Sequence, residues 1–256
     1  MSENAGKRLP EGMAGLAKGL AILEAFAPNS GRLTVSDAAR LAGASRASAR
    51  RCLLTLTELG YLEFDGKFFR PQPRLLSLSS AYSEGRSLPQ VAQPILAAAR
   101  DKLRESISLA ILDNESAFFI ARAEAERLVT TGISIGTRVA LYCSATGRVL
   151  VAGWEDRQIK AYLDRTKFTA RTKRTLVKKT DILGAIRKAQ VEGYAVTDEE
   201  LEIGLRSIAV PVTDSRGNLV GAMSASASSA RVSLAQMISE FVPVLRDHAA
   251  RLGRAL

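Results

Sequence analysis

Between residues 15 and 60, apolar side chains recur at intervals of three and four, in blocks separated by glycine and hydroxyl residues, which predicts three helices joined by tight turns. The first runs from Gly15 to Ala27, with Leu16, Leu20, Leu23 and Ala27 in one row and Ile22 and Phe26 beside them, and ends before Pro28, Asn29, Ser30 and Gly31. The second opens on Thr34, a hydroxyl residue suited to an N-cap, turns Val35, Ala38, Ala39 and Leu41 inward, and stops at Gly43. The third is capped by Ser45, buries a stripe of Ala49, Cys52, Leu53, Leu56 and Leu59, and ends at Gly60. Away from that stripe lie Ala47, Arg50 and Arg51, with Arg46 and Ser48 in the exposed first turn. Small side chains permit close backbone approach, arginines fork onto guanine edges or phosphates, and a helix start attracts phosphate oxygens. The third helix therefore has the composition of a DNA recognition helix in a helix-turn-helix.

Alternation then takes over. Tyr61 to Phe64 and Lys67 to Arg70 flank Asp65-Gly66, the dipeptide of a two-residue primed turn, so a hairpin is expected, with Lys67 and Arg70 placed to touch flanking phosphates as a wing would. Pro71 and Pro73 break it, Leu75, Leu76 and Leu78 begin a helical stretch towards Gly85, and Pro89 to Glu105 forms a further helix. Beyond that point β-branched and aromatic blocks predict strands at Ser106 to Leu112, Ala117 to Arg122, Leu128 to Thr131, Ser207 to Val212 and Leu219 to Ser226. Helices are expected at Ser144 to Ala152, Glu155 to Leu163, Thr180 to Glu192 (capped by Thr180 or Asp181) and about Ser233 to Leu252. The fold class is α+β: a winged helix-turn-helix over 15–75 behind an arm at 1–14, a linker helix at 76–90, and a sheet flanked by helices over 91–256.

Composition narrows the function. At 256 residues the chain has room for two domains, and its formal net charge of +10 fits a polyanionic partner. Two cysteines, Cys52 and Cys143, support neither a disulfide framework nor a zinc cluster, and a reduced cytoplasmic setting is expected. No apolar run is long enough to span a bilayer, and the first ten residues lack the core of a secretion signal, so no membrane partner is expected. Lys7 and Arg8 sit in a segment expected to fray. The basic run from Arg165 to Lys179 reads as a solvated loop or helix face, the other reading being a second nucleic-acid contact.

The residues that carry enzymatic chemistry are scarce. The single histidine, His248, has Arg246, Asp247 and Arg251 around it, which places it on a surface helix. There is no phosphate-binding Gly-rich loop and no nucleophile elbow, and neither a cofactor nor a metal is expected. Asp198, Glu199, Glu200 and Glu202 read as an exposed turn with a salt link to Arg206 rather than as paired catalytic carboxylates.

Two stretches carry a family resemblance. Gly15 to Phe26, Leu33 to Ala39 and Ser45 to Arg51 resemble the N-terminal domain of IclR-type bacterial regulators, and Gly193 to Val212 resembles that family's C-terminal signature. Within the family the chain is most similar to the PcaR, PcaU and PobR subgroup, which responds to protocatechuate, 4-hydroxybenzoate or β-ketoadipate and controls aromatic degradation genes. The resemblance implies a linker helix, a GAF-like effector domain and assembly as a dimer or a tetramer. It puts the effector-binding turn on Ser144, Ala145 and Thr146 and further pocket positions on Thr197 and Ser207, where relatives carry an acid and a cysteine respectively. Backbone N–H groups at the start of that helix, with the Thr146 and Ser207 hydroxyls, suit a carboxylate, and Leu109, Leu141, Met223 and Ala225 are candidate apolar walls. The expected partners are therefore operator DNA, a small carboxylate effector and a second copy of the chain. Two other functions compete: an enzyme with a regulatory winged helix, using Asp198, Glu199, Glu202 and Arg206, and a constitutive architectural DNA binder without a ligand.

Overall fold

The computed structural model describes residues 12–26, 31–78, 87–126 and 133–256. Contacts divide the chain into two units, Met1–Glu84 and Gly85–Leu256. The sequence-expected strand at Leu128 to Thr131, most of the linker helix at 76–90, the arm at 1–11 including Lys7 and Arg8, and the end of the first helix at Ala27 lie outside the described residues.

In the first unit, α1 (Ala14–Glu24), α2 (Val35–Leu41) and α3 (Arg46–Glu58) pack around Ile22, Phe26, Leu33, Ala38, Ala49, Leu53, Leu62 and Phe69. Thr34 caps α2 through a reciprocal box: the Asp37 N–H donates to Thr34 Oγ1 at 3.2 Å, and the Thr34 N–H donates to Asp37 Oδ2 at 3.1 Å. The helix breaks where the sequence places glycine, Gly43 and Gly60 both adopting positive φ. Helix α1 departs from expectation. Leu16 and Leu20 are 61% and 50% exposed, and the core is filled instead by Ile22, Ala25 and Phe26. The row formed by Met13, Leu16 and Leu20 is half a helix circumference away from the core stripe and finds no cover among the described residues of this unit.

The hairpin pairs β1 (Leu62–Phe64) with β2 (Phe69–Pro71) in the register Phe64↔Phe69, so four residues, not two, make its turn. The reason is local. The Asp65 carboxylate folds back to accept the N–H groups of Lys67 at 2.9 Å and Phe68 at 2.7 Å, which closes a wider loop than a primed turn, with Gly66 at φ 98°. Those bonds hold the Asp65 carboxyl below its usual range. Leu33 adds a bridge to Phe69, with mutual N–H to carbonyl bonds of 3.1 and 2.9 Å, and ties the wing to the loop before α2. Pro71 closes β2 rather than breaking it, and a short 3-10 turn follows at Pro73–Leu75.

The second unit is a six-stranded antiparallel sheet in the order β5-β4-β3-β8-β7-β6, made of β3 (Ser106–Asp113), β4 (Ser116–Ala123), β5 (Arg138–Ala140), β6 (Ala195–Asp198), β7 (Leu205–Thr213) and β8 (Leu219–Ser228). On one face lie α4 (Leu88–Leu103) and the C-terminal helix α8 (Val242–Arg254), over a core that includes Leu96, Leu109, Ile208, Met223, Ala225 and Leu245. On the other lie α5 (Ala145–Ala152), α6 (Asp156–Arg165) and α7 (Lys179–Glu192), over Phe119, Leu141, Val149, Ile159, Tyr162 and Ile186. The architecture is α+β, with helices covering both faces of the sheet.

Four details depart from the pattern in the sequence. β5 and β6, three and four residues long, carry too few alternations to announce themselves. Helix α7 starts at Lys179 with Lys178 as its N-cap and no side-chain cap, so Thr180 and Asp181 sit inside the first turn, where the acid favours the helix start. The C-terminal helix is not continuous, because Leu234–Gln236 leads into a five-residue π stretch, Met237–Phe241, before α8. His248 is buried rather than superficial: it is 4% exposed, and its Nδ1 lies 2.8 Å from the Val244 carbonyl, one turn back in α8.

Candidate DNA interface and effector cavity

Helix α3 presents the basic surface. Ser45 caps it, its Oγ accepting the Ser48 N–H at 3.2 Å, and Arg46, Ala47, Arg50 and Arg51 are exposed behind that cap. None of the three arginines makes an ion pair among the described residues. Ser48 does not join them. It is 8% exposed, because it begins the row 48, 52, 55 that runs alongside the buried stripe of Ala49 and Leu53. On the wing, the Lys67 ammonium lies 5.2 Å from the Phe68 ring centre. Arg70 is engaged within the hairpin, by Asp65 at 3.1 Å and Glu63 at 3.9 Å, so a phosphate would have to compete with exposed and therefore weak pairs. Arg32, stacked 4.7 Å from the same Phe68 ring, is a cation that sequence reasoning passed over. It becomes visible only when the Leu33–Phe69 bridge brings it beside the wing.

In the second unit, the five expected pocket positions come from three separate segments and meet. Ser144, Ala145, Thr146, Thr197 and Ser207 line one cavity together with Phe119, Ile133, Val139, Leu201, Ser224 and Ser226. Ser144 is the N-cap of α5: its Oγ accepts the Gly147 N–H at 3.1 Å and donates to the Ala140 carbonyl at 2.9 Å. The cap satisfies one of the orphan N–H groups of the first turn, and Ala145 and Thr146, which follow it, both line the cavity. Gly147 permits this placement. A Cβ there would lie 2.3 Å from Leu141 Cα, so α5 begins in direct contact with the backbone beside it. Ser207 and Ser226, paired across β7 and β8, share a hydroxyl contact of 2.9 Å. Among the described residues no ionisable side chain lines the cavity, so these offer an anion only amides and hydroxyls.

The walls differ from those expected. Leu109, Met223 and Ala225 belong to the core on the opposite face of the sheet, and Leu141 is packed beneath α5. The period-two rule moves the choice by one residue, to Ser224 and Ser226 on β8, and the apolar surface comes from Phe119, Val139, Ile133 and Leu201.

The acidic turn holds another correction. Asp198 does pair with Arg206, Oδ1 to Nε at 2.5 Å, and also with Arg174. Glu200, however, is buried at 7% exposure. It takes a bidentate pair from Arg148, itself 3% exposed, at 2.7 and 2.5 Å. Arg148 also donates through Nε to the Tyr142 carbonyl at 3.1 Å. A bond between residues 52 positions apart leaves no local signal in the sequence. Beside it the Cys143 thiol is pushed up by burial. Among the described residues no group of histidine, cysteine, aspartate or glutamate side chains is arranged for a metal, and no helix is long and apolar enough to cross a membrane.

A winged helix-turn-helix with free arginines on its third helix, carried with a separate sheet unit that encloses a small cavity, defines the class of regulators that bind DNA through one unit and a small molecule through the other. The chain belongs to the IclR family of bacterial transcriptional regulators: residues 15–66 match the IclR helix-turn-helix domain and residues 80–254 the bacterial transcriptional regulator IclR C-terminal model. It is similar to the Pca regulon regulatory protein of Pseudomonas putida, 38% identical over 92% of this chain and 81% of that one. It is also similar to the p-hydroxybenzoate hydroxylase transcriptional activator of Acinetobacter baylyi, 33% identical over 96% and 92%. These relatives match the PcaR, PcaU and PobR subgroup and are regulators, not enzymes. The fold is shared with an IclR homologue from Microbacterium hydrocarbonoxydans complexed with 4-hydroxybenzoate, with a TM-score of 0.79 at 23% identity over 94% of this chain and 98% of that one.

Proposed function

We propose that this regulator senses a small aromatic carboxylic acid and controls catabolic genes in the cytoplasm, with residues 15–75 as the DNA-binding module and 91–256 as the effector module. The observation that carries the ligand class is the cavity lining itself, which combines the first turn of α5 and the hydroxyls of Thr146, Thr197 and Ser207 with the apolar side chains of Phe119, Val139, Ile133 and Leu201. A carboxylate suits the first and a ring the second. The names of the relatives, one an activator of p-hydroxybenzoate hydroxylase, and the 4-hydroxybenzoate bound in a protein of the same fold support hydroxybenzoates as the first acids to test. On the DNA side, Arg46, Arg50 and Arg51 reach base edges or phosphates, Ala47 permits close approach, Ser45 sets the helix start, and Lys67 and Arg70 touch the flanking backbone.

The test is a thermal-shift and calorimetric titration with 4-hydroxybenzoate and protocatechuate. At a ligand concentration of one hundred times Kd the effector unit is expected to gain about 2.7 kcal/mol. Thr146→Val and Ser207→Ala each weaken binding, at a cost of about 1 kcal/mol for a lost hydrogen bond. Unchanged affinity in both variants would move the site elsewhere.

Self-association follows from α1. Its exposed row of Met13, Leu16 and Leu20, at 75%, 61% and 50%, is an apolar surface that a second copy of the same helix covers. The double variant Leu16→Lys, Leu20→Lys is expected to sediment as a smaller species than the wild type and to lose affinity for two-half-site DNA. Identical sedimentation would remove α1 from the interface.

A further inference from the structure

We infer that Leu201 limits the size of effector the cavity accepts, and that the β6–β7 turn carrying it is the wall that moves to admit a ring; this rests on the reading of the cavity as an effector site. The cavity measures about 10 Å³, room for a single water. A cavity that takes benzene is on the order of 150 Å³. A benzoate therefore requires a wall to move by more than side-chain adjustment.

Most of the lining has no freedom to do so. Ser207, Ser224 and Ser226 stand on β7 and β8, the inner strands of the sheet, and Thr197 is paired with Ser207. Ser144, Ala145 and Thr146 are fixed by the contact of Gly147 with the Leu141 backbone. Phe119 is held from both sides, its N–H donating to the Thr137 carbonyl at 3.0 Å and its carbonyl accepting the Gly136 N–H at 2.8 Å.

Leu201 is differently placed. The β6–β7 ladder ends at Asp198↔Arg206, and the turn beyond it is entered at Glu199, φ 56°, and left at Gly204, φ 83°. Two positive-φ residues bracket the segment, and between them Ile203 is 64% exposed while Leu201 is half-buried. The turn is held to its neighbours by polar bonds rather than by ladder pairing. Glu200 takes two bonds from Arg148 on α5 and one from the Leu176 N–H at 3.4 Å, Arg174 lies 3.7 Å from the Glu199 carboxylate, the Glu200 carbonyl accepts Thr175 Oγ1 at 2.6 Å, and the Glu199 carbonyl accepts Thr172 Oγ1 at 2.7 Å. Behind it Asp198, Glu200 and Arg148 border a separate cleft of about 250 Å³, while Leu201 packs against the core on the α5 side of the sheet. The anchor residue Arg148 belongs to the same helix whose first turn would hold the carboxylate, which links occupancy of the helix start to the position of Leu201.

The experiment compares the affinities of full-length wild type, Leu201→Ala and Leu201→Val for 4-hydroxybenzoate and for 6-hydroxy-2-naphthoate, the same phenol-carboxylate chemistry one ring larger. Circular dichroism melts establish that each variant is folded, and valine serves if alanine does not fold. The naphthoate-to-benzoate affinity ratio is expected to rise about tenfold or more in Leu201→Ala, with valine between, as removing pocket methylenes does elsewhere. A ratio unchanged in the folded variants would overturn the inference, and so would an equal rise from Ile133→Ala, which would assign the limit to the opposite wall. If wild type and all variants bind neither acid, the effector reading fails and takes this inference with it.

Discussion

Replacing Arg50 and Arg51 together by alanine is expected to abolish sequence-specific DNA binding while leaving the fold intact. Both side chains are exposed on α3 and make no ion pair among the described residues, so their removal breaks no such pair there. Each arginine that reads a base contributes about 1–3 kcal/mol, so the pair is worth roughly 30-fold to 10⁴-fold in affinity. The measurement is a fluorescence titration of duplex DNA selected by the wild-type protein from a random pool, run at several salt concentrations. Arginines that read bases flatten preference at the positions they touch. Arginines that only meet phosphates lower affinity on all sequences and reduce the salt slope by about one per contact. Wild-type affinity in the double variant would show that α3 does not enter the groove.

The second large effect concerns the floor of the cavity. Gly147→Ala places a methyl 2.3 Å from Leu141 Cα and 2.4 Å from its carbonyl oxygen, both backbone atoms that cannot step aside. Overpacking of this kind costs about 1–3 kcal/mol and sometimes more. Because the obstacle is backbone, the upper end is expected, which for a unit of this size lowers its melting temperature by roughly 6–12 °C. The distortion falls on Ala145 and Thr146, so acid binding is lost along with stability. Gly184→Ala is the control: it lies in α7 with nothing within 4 Å of the added carbon, and alanine there is expected to stabilise by about 0.5–1 kcal/mol. Equal melting temperatures for the two variants would contradict the placement of α5 against Leu141.

The DNA-binding unit was the more legible half of the chain because its signals are local. Thr34, Gly43, Ser45 and Gly60 announce caps and stops within four residues of where they act, and the structure uses each of them there. What went astray even here was orientation. Leu16 and Leu20 form as good an apolar row as the one that faces the core, and a helix with two such rows does not say which is buried. The effector unit suffers from the same ambiguity on strands. Along β8, Ala222, Met223, Ser224, Ala225 and Ser226 are all buried, because helices cover both faces, so no polar-out alternation marks the cavity side. A choice of Met223 and Ala225 over Ser224 and Ser226 is then a one-residue error that flips to the opposite core. Non-local chemistry was out of reach altogether. Glu200 and His248 read as surface decoration, yet Glu200 is paired with Arg148 on α5 and the His248 Nδ1 lies 2.8 Å from the Val244 carbonyl of its own helix.

The central claim is that occupancy of the cavity changes how the amino-terminal unit holds DNA. A coupling free energy of about 1–3 kcal/mol, roughly 5-fold to 150-fold, is enough for regulation. The measurement is the Kd for the selected duplex with and without saturating 4-hydroxybenzoate, at fixed ionic strength, in wild type and in Ser207→Ala. The account predicts a shift within that range in wild type and the need for more acid to produce it in Ser207→Ala. An acid that binds tightly yet leaves the DNA affinity of wild type unchanged would contradict it.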